Sequence, residues 1–273
     1  MMQRLIVRAL CAAALGLVCG LGMLHATPAT APATTPATQE AQTMQAWKLA
    51  WSDDGTQGWK AGWFLDGDKS KVENTPTGMV LTSGDVKDDN SGHAVLWTKQ
   101  SFRGDLRIEY DFTRIDERTQ HVAVCILYIQ ATGIGKEPHV ADIFAWRDLR
   151  RAPKMALYFN FMRCYHVSYA CTGGADADYV RARCYPAKGN FDRDTRVPPS
   201  YEKVGVFKPG ETWHMLFEKV GRQLTFTATR NQDKKVFTWD ASKFDAIDEG
   251  RIGLRQMHGR ESRFANFKVF ARP

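Results

Sequence analysis

Residues 157–170, LYFNFMRCYHVSYA, bring Asn160, Arg163, Tyr165, His166 and Tyr169 into one short segment. Imidazole and phenol groups can act as base and acid, while guanidinium and amide groups can hold a carboxylate in a fixed fork. Those types fit β-elimination of a uronate polymer. One group takes the proton beside the carboxylate, another protonates the leaving oxygen, and cations or amides neutralise the carboxylate. His166 and Tyr169 are the candidate catalytic groups here, with Asn160, Arg163 and Tyr165 as candidate substrate-binding groups. Read as one continuous β-segment, the stretch puts Asn160, Met162, Cys164, His166 and Ser168 on one face and Phe161, Arg163, Tyr165, Val167 and Tyr169 on the other. Neither face is the plain apolar face of a half-buried structural strand. A regular strand also separates His166 from Tyr169, so one of them needs a bulge or a partner from another strand.

Two other stretches offer such partners. His93 opens HAVLWTKQSF and is the third candidate catalytic group. In GRIGLRQMHGRESRFANFKVF, residues 250–270, Ile252 and Leu254 can face a core while Arg255 faces the other side and His258 falls in a turn. Arg255 and His258 are candidate substrate-binding groups. So are Trp97 and Trp146, whose indoles could stack on a sugar ring, and Arg147 beside Trp146.

Other chemistries lack their residues. No Glu-x-Asp-x-x-Glu run supplies paired carboxylates for glycoside hydrolysis, and Asp116-Glu117, Asp176 and Asp178 read as solvated turns. There is no Gly-x-Ser-x-Gly elbow, no Gly-rich phosphate loop and no basic helix for nucleic acid. Three readings stay open: a polysaccharide lyase, which the His, Tyr and Arg set favours; a non-catalytic glycan-binding module; and a hydrolase whose carboxylates come from separate strands. No organic cofactor is implied. The acidic pairs Asp53-Asp54 and Asp88-Asp89 could hold a structural calcium ion.

The elements that must position these groups are strands. Asp105–Thr113 alternates Leu106, Ile108, Tyr110 and Phe112 with polar residues. Thr212–Lys219 and Arg222–Thr229 flank Val220-Gly221 as a hairpin, and His121–Gln130 is apolar on both faces, as a central strand covered from both sides should be. Arg251–Met257 and Phe264–Ala271 complete the set. Residues 141–150 are the best candidate for a short helix or ordered loop, and 188–208, with Pro198-Pro199, for a long connection. Frequent turns without βαβ alternation predict an all-β fold: a two-sheet antiparallel jelly-roll sandwich over residues 46–273.

The amino-terminal end has a different character. Arg4 and Arg8 precede an apolar run from Ala9 to Leu24, the pattern of a signal peptide over residues 1–26, and residues 27–45 form an Ala/Thr/Pro-rich spacer. Val18 stands where lipid attachment at Cys19 would need a small residue. The chain is thus expected to be exported, periplasmic or extracellular, with no membrane insertion once the signal is removed. The whole chain carries a net charge of +7, and loss of Arg4 and Arg8 leaves 35 basic against 30 acidic side chains. For an exported protein that excess favours an acidic partner, namely acidic polysaccharide, the anionic cell envelope or extracellular nucleic acid; with no basic helix for nucleic acid, the expected partner is an acidic polysaccharide or oligosaccharide. Cys125, Cys164, Cys171 and Cys184 remain after processing, enough for two disulfides with one pair among the last three. Their spacings match no common zinc pattern.

HAVLWTKQSFRGDLRIEYDF, CYHVSYA and GRIGLRQMHGRESRFANFKVF together resemble a bacterial family of unknown function in the concanavalin-A-like lectin/glucanase superfamily. Its members often sit among genes for breakdown of pectin and other uronate polymers. The last stretch also looks like the closing hairpin of keto-disaccharide hydrolase-like domains. His166 to Tyr169 and Arg251 to Arg255 are the most specific pieces of a resemblance that covers most of 47–273. It implies a jelly roll with a concave sugar-binding groove, in a superfamily where several polysaccharide lyases use His, Tyr, Arg and Asn or Gln on the concave sheet. One departure is Arg150-Arg151-Ala152-Pro153-Lys154, where relatives should carry a Gly-containing turn.

Overall fold

Leu106, Ile108, Tyr110 and Phe112 alternate with polar neighbours along strand β7, Asp105–Arg114, and all four are wholly buried. The same period-two logic builds the rest of the chain in the computed structural model, which describes residues 46–272 except 87–88, 120–121 and 174–176. The expected signal peptide and spacer, Cys19, Asp88, His121 and Asp176 lie outside the described residues.

Two antiparallel sheets result. The first runs β14 (Asp233–Asp240), β13 (Gln223–Arg230), β12 (Thr212–Val220), β7, β16 (Glu261–Arg272), β4 (Gly78–Thr82), β3 (Lys71–Thr75), and β1 (Lys48–Asp53) also pairs with β16. The second runs β11 (Arg196–Glu202), β10 (Tyr179–Tyr185), β9 (Met162–Thr172), β8 (Ala123–Gly133), β15 (Glu249–Gln256), β5 (Ala94–Thr98), β2 (Trp63–Asp66), with β6 (Phe102–Arg103) on β15. This is the expected all-β sandwich, including the β12–β13 hairpin, whose turn uses Gly221 at φ 56°.

Ile108, Phe112, Phe217 and Phe226 of the first sheet pack on Leu96, Leu127, Val167 and Leu254 of the second. Each such side chain contributes about 1.5–3 kcal/mol by leaving water. A second apolar layer lies on the outer face of the second sheet, where Val95, Trp97, Ile126 and Tyr128 meet Ile143, Trp146 and Tyr158. β8 is therefore covered on both sides, as its sequence requires.

Three expectations are corrected and a fourth, the short helix or ordered loop at 141–150, is narrowed. Residues 157–170 are not one β-segment: Met155–Phe161 is a helix, and β9 begins at Met162. The helix buries Tyr158 and leaves Asn160 exposed, so Asn160 does not share a face with His166. A short apolar run satisfies either period, and here burial of Tyr158 selects the helical one. Within 141–150 only Arg147–Arg150 is helical, as a 3₁₀ turn. The stretch 188–208 is not a plain connection but holds a helix, Phe191–Thr195, capped by the Asn190 side chain, and β11, where two prolines sit on a sheet edge. Finally, Cys125, Cys164, Cys171 and Cys184 are all free, buried thiols. Cys164 and Cys184 lie on paired strands but face opposite layers, one on the outer cluster and one in the central core. Cys164 and Cys171 are seven residues apart along one strand, roughly 23 Å at strand rise, far beyond disulfide reach.

Candidate functional site

β9 directs Cys164, His166 and Ser168 outward and Tyr165, Val167 and Tyr169 into the core between the sheets. Tyr169 is wholly buried and accepts a hydrogen bond from the Tyr110 hydroxyl at 3.1 Å. Burial raises its pKa well above the phenol range and lifts that of Tyr165 to about 12. Neither reaches solvent, so neither can serve as a catalytic or substrate-binding group on the sheet face. His166 is on the other face but only 2% exposed. Its Nδ1 lies 2.6 Å from the Tyr185 hydroxyl and its Nε2 2.5 Å from Ser168 Oγ. Burial first, then Arg183 and Arg255, hold its pKa well below the ordinary value, so the ring is neutral. Phe159 and Phe191 pack on Tyr185. An imidazole with both nitrogens engaged and no open approach is a structural histidine, which corrects its expected catalytic role.

Trp97 lies flat against Tyr128 and Tyr158, at ring separations of 5.3 and 6.3 Å, and donates from Nε1 to Asp66 Oδ2 at 2.8 Å. A Cβ on Gly253 would stand 2.5 Å from the Trp97 ring, so a residue without a side chain is needed beneath it. Asp66 also takes Arg150 Nε at 2.6 Å and the Tyr158 hydroxyl at 3.0 Å. Burial pushes its carboxyl pKa up, against the opposing pull of Arg150. Trp146 donates to Val140 O and carries Arg150 over its ring at 4.2 Å. Both tryptophans are sealed under the 134–161 segment and offer no platform to a sugar. Arg147 rests on Phe144 at the surface. Asp66 and Arg150 were not legible as a pair: one sits in a turn-like FLDGD, the other in a run of surface-type arginines.

Three sequence candidates do converge. Arg255 on β15, His93 just before β5, and His258 in the turn between β15 and β16 form one chain of hydrogen bonds. Arg255 Nη2 lies 2.8 Å from His93 Nδ1 and donates to Pro153 O at 2.8 Å, and His93 Nε2 is 3.1 Å from His258 Nε2. A guanidinium can only donate, so His93 accepts at Nδ1 and carries its proton on Nε2. Burial, then the charges of Arg255 and His258, lower the His93 pKa to about 3.

An open cavity lies elsewhere, at the β9–β10 side of the second sheet. It encloses about 320 Å³ and is lined by Arg163, Lys188, Arg193, Lys243 and Phe244, and also by Asp194 and Asp245. An adjoining recess shares Arg193 and Lys243 and adds Arg196. Arg193 pairs with Asp194 at 2.8 Å and Arg196 with Asp192. Arg163, Lys188 and Lys243 form no ion pair among the described residues, and Lys243 lies 4.9 Å over the Phe244 ring. Of the candidate catalytic and substrate-binding residues read from the sequence, Arg163 alone lines this groove. Lys188 and Lys243 carried no signal, because isolated surface lysines look alike until the fold gathers them.

Of the acidic pairs, Asp53, Asp54 and Asp89 are engaged as turn acceptors. Asp53 takes Trp63 Nε1 and Gly55 N, Asp54 takes Thr56, and Asp89 takes Lys69 and Ser91. No cluster of three potential metal ligands occurs among the described residues.

No protein-family model and no curated protein matches the chain. Solved structures do. A Bacillus subtilis protein of unknown function with a galectin-like fold aligns with TM-score 0.63 at 18% identity, over 84% of this chain and all of that one. This chain has a galectin-like jelly-roll fold. The VIP36 exoplasmic/lumenal domain in its Ca2+/Man3GlcNAc-bound form aligns with TM-score 0.55 at 10% identity, over 84% of this chain and 91% of that one. Lectin UEA-II complexed with galactose aligns with TM-score 0.51 at 11% identity, over 81% and 99%.

Proposed function

We propose that the chain is an exported glycan-binding module whose ligand is an acidic, uronate-containing polysaccharide or oligosaccharide, seated in the groove of Arg163, Lys188 and Lys243. The observation that carries this reading is a groove that gathers Arg163, Lys188 and Lys243, which form no ion pair among the described residues, with Phe244 under Lys243; Asp194, which also lines it, is held by Arg193. Fixed charge and an apolar ring face are what a sugar acid offers contacts to: the carboxylate meets the cations and the C–H face of the ring meets Phe244. Two structures that share the fold carry sugars, Man3GlcNAc on VIP36 and galactose on UEA-II. The lyase reading loses its base at His166 and its acid at Tyr169, both sealed away from solvent.

Affinity electrophoresis in gels containing polygalacturonate, alginate or neutral dextran tests the proposal. At least one acidic polymer should retard the protein, dextran should not, and Arg163→Gln with Lys243→Gln should weaken retardation by about tenfold or more. Equal retardation by dextran, or an unchanged double variant, would sink it. Release of an unsaturated product absorbing in the ultraviolet would restore the lyase.

A further inference from the structure

Three arginines of the described residues are wholly buried: Arg150, Arg255 and Arg260. Arg150 has Asp66 at 2.6 Å and Arg260 has Asp116 at 3.1 Å. Arg255 forms no ion pair among the described residues. Its guanidinium stacks over the Tyr158 ring at 4.6 Å and its Nη2 is used, yet Nε and Nη1 have no hydrogen-bond partner among the described residues. A guanidinium stays charged under all conditions in which proteins fold, and a buried charge calls for an opposite one. The neighbouring carboxylates are committed. Asp66 holds Arg150, Asp116 holds Arg260, and Asp89, whose charge reaches His93, is held by Lys69 at 2.5 Å and by Ser91.

The hydrogen-bond chain shows where an anion would enter. Arg255 donates to His93, so His93 donates from Nε2 to His258 Nε2, which leaves the His258 proton on Nδ1. That Nδ1 is itself buried and without a hydrogen-bond partner among the described residues, although the residue as a whole is half-buried at the turn joining the sheets. The relay therefore starts at an unbalanced positive charge and ends at an unused donor near the surface.

We infer that Arg255, His93 and His258 form a carboxylate-binding site, in which the anion accepts from His258 Nδ1–H and balances the Arg255 charge behind it. The site is separate from the Arg163 and Lys243 groove and stands or falls independently of it. A carboxylate could come from a sugar acid or from a small free acid.

Thermal unfolding of the intact chain with sodium glucuronate, sodium acetate or glucose separates these sources. Glucuronate or acetate at about a hundredfold over its dissociation constant should raise the midpoint by about 5 °C, and glucose should not. A rise with both acids assigns the site to a bare carboxylate, and a rise with glucuronate alone to the sugar acid. Arg255→Met should abolish the rise, while Lys243→Gln, in the groove, should keep it. An unmoved wild-type midpoint, or an equal rise in Arg255→Met, would overturn the site. Should Arg255→Met fail to fold, the imidazole 15N spectrum of the wild-type protein decides: the His258 Nδ1 signal should move on adding the acid that raises the midpoint while those of His166 stay. A stationary His258 signal would refute the inference.

Discussion

His166 Nδ1 lies 2.6 Å from the hydroxyl of Tyr185, and both side chains are buried, with Phe159 and Phe191 packed on the Tyr185 ring. The pair belongs to the fold's interior rather than to a reaction. His166→Ala removes the ring and strands both the Tyr185 hydroxyl and Ser168 Oγ, so it should destabilise the protein by about 2–4 kcal/mol in urea unfolding. Retention on acidic polysaccharide should be unchanged. Loss of retention at unaltered stability would place His166 in a binding site after all.

Asp66→Ala leaves Arg150 charged and unpaired in a dry layer, with Trp97 and Tyr158 also losing their acceptor. Breaking such a buried pair costs about 3–5 kcal/mol. Adding Arg150→Met to Asp66→Ala should recover part of that loss, because the uncompensated charge goes too. Denaturant melts of the two single variants and the double variant measure the coupling.

Stability should fall below neutral pH. His93 has a folded pKa of about 3, beneath its unfolded value near 6.5, so between those limits the unfolded chain binds the extra proton. The stabilisation is whole above roughly pH 6.5 and is lost at about 1.4 kcal/mol per pH unit as the pH falls towards 3. His166, lowered in the same direction, adds to the slope. His93→Asn should flatten the profile of unfolding free energy between pH 6.5 and 4.

The groove should respond to salt. Its cations are at the surface, where screening over about 8–10 Å acts near 0.1–0.15 M ionic strength. Retention on an acidic polymer should weaken steadily from 50 to 500 mM NaCl, and Lys243→Glu should weaken it more than Lys243→Gln. Salt-independent retention would argue that charge is not what the groove reads.

Thiol titration should find four reactive cysteines in the mature chain after denaturation without reductant, and close to none in the native protein. Burial raises Cys125 to about 11 and Cys184 to about 12, which keeps them as thiols as well as out of reach. Fewer than four after denaturation would reveal a disulfide.

The sandwich was legible because Leu106 to Phe112, the β12–β13 hairpin and the doubly apolar β8 each carry a period that only strands satisfy. The site was less so. The sequence pointed to His93, Arg255 and His258 separately, and their meeting depends on β15 lying beside β5, a non-local pairing that no local pattern encodes. It mistook the 155–161 helix for strand because Tyr158 and Phe161 fit either period. It took His166, Trp97 and Trp146 for exposed groups because nothing local says that residues 134–161 fold over the sheet. The Lys243 groove left no trace, since Arg163, Lys188 and Lys243 are far apart in sequence and only the fold gathers them.

β1 and β16 are the first and last strands in sequence, yet Lys48 pairs with Ala271, and β16 is also clamped between β7 and β4. The first sheet therefore cannot close until its final dozen residues are in place. Such high contact order slows folding. A nascent chain would remain open and threadable until β16 has been made. Any truncation that removes β16 should leave no stable first sheet rather than a slightly shorter one.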